Sequence, residues 1–168
     1  MKTLASALLA ALALCACSTV PKLDAAADVH AFLVAIRDGD RAGFEAHIDR
    51  PALKTNLRAR LLAQVARSNA DGGQVLGALL ASPLADVAAD AFLQPEVFRA
   101  VAELRGYSPD RPIPSSFAIA RFIRPLGGGT ACVVQKKDGP CLLNFTNEAG
   151  TWRLTSFEGD LSLLRPRR

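Results

Sequence analysis

The chain has 168 residues, half of them apolar and only 6% aromatic, with a formal charge of +4. A length of this order suits one domain with a core built of Ala, Leu, Val and Ile, and it excludes a disordered chain. Lys2 belongs to a leader, and its removal leaves 19 basic against 16 acidic residues, a balance that gives no support to nucleic-acid binding.

The first element is that leader. Lys2 opens it, and Leu4 to Leu14 form an apolar run well short of the roughly 20 residues a spanning helix needs. A positive start, a short apolar run and small residues near its end make a secretory signal over residues 1–16. The run ends in "LCACS", which resembles the bacterial lipoprotein signal: Leu14 stands three before Cys17 and Ala16 directly before it. Cys15 is preceded by bulky Leu14 and fits the pattern poorly. The resemblance implies cleavage before Cys17, acylation of its thiol and a chain held at the membrane by several acyl groups. Ser18 rather than an aspartate follows, which in such proteins favours the outer membrane. The location implied is the cell envelope, facing the periplasm. The rival reading is a plain secreted protein cut nearby.

Residues 17–24 read as a tether. Val29, Phe32, Leu33 and Ile36 then take the spacing of one helix face, and Gly39 ends that helix. Asp40 caps a short second helix through Phe44 and Ile48. Asp49 and Pro51 start a third, which runs to about Ser68 with Leu53, Leu57, Leu61 and Val65 four apart. "NADGG" breaks it. Leu76, Leu79 and Leu80 begin another helix, and beyond Pro83 an apolar face continues through Leu84, Val87, Ala88, Ala91 and Phe92. "QPEVFRAVAELRG" is a helix started at Pro95 and stopped at Gly106.

Three prolines in "YSPDRPIPS" mark a change of regime. "SFAIARFI", "TACVVQ", "CLLNFT" and "TWRLTSF" read as strands, joined by "PLGGG", "KKDG" and "NEAG". With "NEAG" as a four-residue loop, Phe145 faces Trp152 and Leu143 faces Leu154, so one sheet face is apolar and the helices cover it. The expected fold is α+β, with N-terminal helices packed on one face of a C-terminal four-stranded antiparallel meander. One domain is expected over residues 25–161, with helices in 25–106, sheet in 115–158 and a basic tail at 162–168.

"AIRDGDRAGFEAHIDRPALKTNLRARLLAQV", "FLQPEVFRAVAELRG" and "GTWRLTSFEGDL" together resemble a family of proteobacterial envelope proteins carried as a domain of unknown function. The resemblance runs from Val29 to Leu161, with Gln94 where a small hydroxyl residue is usual. It implies an α+β fold and an envelope location, and it carries over no activity and no functional residue.

The candidate chemistry is sparse. Asp38, Asp40, Glu45, His47 and Asp49 cluster around two helix boundaries, where carboxylates cap backbone N–H groups, and no metal set or catalytic residue is assigned. The third helix carries Arg50, Lys54, Arg58, Arg60 and Arg67 with no acidic residue before Asp71. Those cations suit contact with an anionic lipid surface or an acidic partner, while the bland reading is basic stems covering the rim of a leucine stripe. Cys132 and Cys141 are the thiols left after the anchor, and an oxidising compartment suits a disulfide. With "KKDG" as a four-residue loop they share a face diagonally, about 7–8 Å apart, and a shifted register or bulge brings them opposite. Both arrangements stay open. "GxSxG", "HExxH" and a glycine-rich loop ending in "GK" do not occur.

The function expected is therefore a non-enzymatic, lipid-anchored module that binds another envelope component or itself, with no cofactor. The alternative is a small-ligand carrier or an unrecognised enzyme with a pocket between helices and sheet.

Overall fold

The computed structural model describes residues 21–68, 83–136 and 138–158, with the side chains of 64–68 and 83–85 excepted. Cys17, the helix expected from Leu76 and the basic tail lie outside the described residues. In α1 (residues 21–38), Ala25, Ala26, Val29, Phe32, Ala35 and Ile36 are all buried, the apolar stripe that a 3.6-residue period requires. Residues 21–24, expected in the tether, are helical, and Asp24 is docked on the sheet. Gly39 takes φ +70° after the last turn, a conformation that costs glycine little.

Asp40 caps α2 (Arg41–Ala46) by accepting from the Gly43 N–H at 3.1 Å. Asp49 accepts from Ala52 N–H at 3.0 Å at the start of α3 (Arg50–Ser68). Between these helices the chain touches the sheet: Leu154 N–H donates to His47 O and Asp49 N–H to Leu154 O, both at 2.9 Å. Two further described helices follow, α4 (Pro83–Phe92) and α5 (Pro95–Leu104).

The expected first strand is corrected. "SFAIA" is a short helix, α6 (Ser116–Ala120), whose Ser115 hydroxyl accepts from Ala118 N–H at 3.4 Å. Strand β1 is Ile123–Gly127, taking in part of the expected joint, and β2 (Thr130–Val134), β3 (Cys141–Glu148) and β4 (Thr151–Phe157) follow. A run as short and apolar as this one fits either period, and the serine cap decides for the helix.

The sheet is an antiparallel meander in the order β1-β2-β3-β4, so the fold is α+β with the described helices preceding the sheet. The β3–β4 joint is tighter than expected. Glu148 pairs with Thr151 across Ala149 and Gly150, which take φ of 52° and 94°, the left-handed pair that matches strand twist. Phe145 therefore pairs with Leu154, and Trp152 with Asn147. The slip is an even number of residues, so Phe145, Trp152 and Leu154 still share the buried face. Phe32, Phe44, Phe98, Phe145 and Phe157 link ring to ring, with centroids 5.1–6.1 Å apart, and tie α1, α2 and α5 to the sheet.

Candidate functional site

Three polar arrangements and one apolar surface stand out, and each is built by the elements around it. The first joins α1 to β4. Asp28 accepts from Trp152 N–H at 2.7 Å, and Asp24 accepts from the Trp152 indole at 3.1 Å. His47 donates through Nδ1 to Gly43 O at 2.7 Å, since a carbonyl only accepts, and its Nε2 stands 3.7 Å from Asp28. These groups close the outer edge of β4, which would otherwise offer unpaired backbone N–H groups to another chain. His30 lies elsewhere, with Nδ1 2.8 Å from Pro114 O.

Among the described residues, no three His, Cys, Asp or Glu side chains converge on a point where a metal could sit. Asp38 is held by Arg37 at 2.7 Å, which keeps its carboxyl below the ordinary aspartate range. Glu45 pairs with Arg50. The polar cluster of the α1–α3 corner thus consists of caps and ion pairs.

The second arrangement is the disulfide between Cys132 and Cys141, with Cα atoms 5.5 Å apart. Cys132 pairs with Asn144 rather than Leu143, and a bulge between Val133 and Val134 sets Val134 against Cys141. That irregularity removes the diagonal separation of the regular register. Arg124 covers the bridge, with Nη2 3.2 Å from Cys141 Sγ and Nη1 3.2 Å from Gly139 O.

The third arrangement accounts for two of the five cations of α3. Arg50 and Lys54 bind Asp90 of α4 at 3.1 and 2.7 Å, and Arg50 also donates to Leu93 O at 2.9 Å. Lys54, desolvation notwithstanding, and then Arg50 hold the Asp90 carboxyl below the usual aspartate range. Both cations are directed into the fold. Arg58 and Arg60 sit on α3 with interactions of their own, and the Arg67 side chain lies outside the described residues.

That attachment orients α4. At about 100° per residue, Asp90 stands about 160° from Ala88 and Phe92 and about 100° from Ala91, whereas Val87 is only about 60° away. Asp90 is tied to α3, and Leu93, about 60° from it on the side away from Val87, is buried, so Ala88, Ala91 and Phe92 are turned to solvent and Val87 stands at the edge of that exposed face. Val87 is 66% exposed and Phe92 61%. The apolar face read beyond Pro83 is thus exposed at Val87, Ala88, Ala91 and Phe92. The spacing revealed the face but gave no direction for it, and the signal that did was Asp90 facing two cations on a preceding helix. No described helix is long and apolar enough to cross a membrane.

The class this arrangement defines is an α+β domain that closes its sheet edge and core and turns one apolar helix face outward. The chain belongs to the family described as "Protein of unknown function (DUF2939)", which matches residues 9–101. The match begins earlier than the resemblance from Val29 to Leu161 and ends within α5, so the closing-strand motif lies beyond it. No curated protein and no solved structure matches the chain.

Proposed function

We propose that this chain is a non-catalytic binding module of a bacterial envelope, anchored by lipid on Cys17 and facing the periplasm from the outer membrane. The observation that carries the binding role is the outward apolar face of α4. A helix that fixes its acidic side to the fold and offers Val87 and Phe92 to water is poorly placed for stability and well placed for a partner. Desolvating aromatic and aliphatic side chains of this kind is what drives protein interfaces. The anchor is supported by Leu14, Ala16 and Cys17 at the end of the leader. The partner is another envelope protein.

The experiment places benzoylphenylalanine at Phe92 of the full chain in its native cell, with labelled palmitate present. A palmitate-bearing chain and one discrete adduct heavier than the chain plus a second copy are expected. An adduct of twice the chain mass would make the partner a second copy instead. Failure to form any adduct contradicts the binding role, and unlabelled protein with unchanged location in Cys17→Ser contradicts the anchor.

A further inference from the structure

The anchor, if it sits at Cys17, has a geometric consequence for the rest of the domain. The β1–β2 and β3–β4 turns of a meander lie at the same end of the sheet, and here a bonded row crosses that end. Asn147 N–H donates to Gly129 O at 2.7 Å, Asn147 pairs with Trp152, and Trp152 reaches Asp24 in the first described turn of α1. The start of α1 is thus seated at the same pole as both turns.

Cys17 precedes Pro21 by four residues, which span at most about 14 Å when fully extended. Acyl chains on Cys17 therefore bring this pole to the lipid. The surface there is suited to it. Leu23 is 41% exposed, and helical side chains lean toward the N-terminus, here toward the anchor. Leu126 on β1 is 52% exposed beside Gly127 and Gly128, where the space a Cβ would fill is open. The charges at this pole are mostly matched: Glu148 pairs with Arg153 at 3.4 Å, and Asp24 and Asp28 bind Trp152. Lys22 adds a cation at the same end, suited to anionic headgroups.

We propose that the end of the sheet carrying the β1–β2 and β3–β4 turns is a lipid-contacting pole, with Leu23 and Leu126 at headgroup level. This inference rests on the proposed acylation of Cys17. It also sets α3 apart from the membrane. Asp49 N–H bonds Leu154 O and Asn56 Oδ1 accepts from Phe157 N–H at 3.3 Å, so α3 runs along β4 away from the turns. Helix α3 then lies on the periplasmic side of the domain, away from the lipid.

The test uses the full acylated chain on phosphatidylethanolamine–phosphatidylglycerol vesicles containing headgroup spin-labelled lipid. An environment-sensitive fluorophore is attached at Leu126→Cys, at Gln135→Cys in the opposite β2–β3 loop, or at Ala59→Cys on exposed α3. Flotation with the vesicles reads the anchor, and quenching reads the orientation. Expected are flotation of all three and quenching at position 126 at least threefold stronger than at 135 or 59. Flotation with equal quenching, or with position 59 or 135 quenched most, overturns the pole while leaving the anchor standing. Failure to float overturns the anchor, and the pole with it. The single tryptophan gives an independent reading: Trp152 fluorescence in the unsubstituted chain should be quenched by the same lipid and relieved in Cys17→Ser.

Discussion

Helices α1 and α4 are built from much the same residues, alanine, valine, aspartate and phenylalanine, and are used in opposite senses. Phe32 of α1 is buried among Phe44, Phe98 and Phe145, whereas Phe92 of α4 lies in water. The difference lies in the acidic residues. Asp24 and Asp28 of α1 reach sideways to Trp152 and leave the apolar stripe free to face the sheet. Asp90 of α4 meets Arg50 and Lys54 head on, and the apolar side is turned away. Amphipathicity fixes that a helix has two faces, and neighbouring charges fix which one is covered.

The contrast is sharpest in paired substitutions. Phe44→Ala, which empties a fully buried site, should cost about 3–5 kcal/mol in chemical denaturation. Phe92→Ala should stay within about 0.5 kcal/mol of the parent. Comparable losses for the two would mean that α4 is packed like α1.

Loss of the Cys132–Cys141 bridge comes next. Closing a loop with a sequence separation of nine removes chain entropy from the unfolded state worth about 2.5 kcal/mol. Reduction, or the double replacement by alanine, should lower the unfolding midpoint accordingly, and peptide mapping without reductant should recover the linked pair.

Asp28→Ala follows at about 1.5–3 kcal/mol, the cost of a charge-assisted hydrogen bond to a strand N–H. Hydrogen exchange at Trp152 should accelerate in that variant, and unchanged exchange would show that the edge of β4 is closed by other means.

Asp90→Asn should have the smallest effect on global stability and the clearest effect on pH dependence. The carboxyl is depressed in the folded chain by Lys54 and Arg50. Its contribution is therefore present above the ordinary aspartate value of about 3.9 and is lost as pH falls through the lower folded value. Hydrogen exchange in α4 should rise over that acid window in the parent and show no such step in Asp90→Asn.

These comparisons also show where the sequence was readable. Helices α1 to α3 announced themselves through long periodic stripes and carboxylate caps at Asp40 and Asp49, signals that are local. Strands β2 to β4 were visible through alternation between glycine-bearing joints. The register was not, because the Ala149–Gly150 turn uses a left-handed alanine that no composition rule singles out. The "SFAIA" segment was too short for its period to decide between helix and strand. The bulge beside Val134 and the direction of α4 depend on partners distant in the chain, and a pattern read along one segment carries no record of them.

The direction of α4 is open to one direct measurement. In the purified full chain, with Cys132 and Cys141 bridged, a polar maleimide is timed against single thiols at Val87→Cys, Val29→Cys and Gln135→Cys. Position 87 should react about as fast as exposed position 135, and position 29 should be protected until unfolding. If position 87 is as slow as position 29, the apolar face of α4 is inside, and the binding surface proposed for it does not exist.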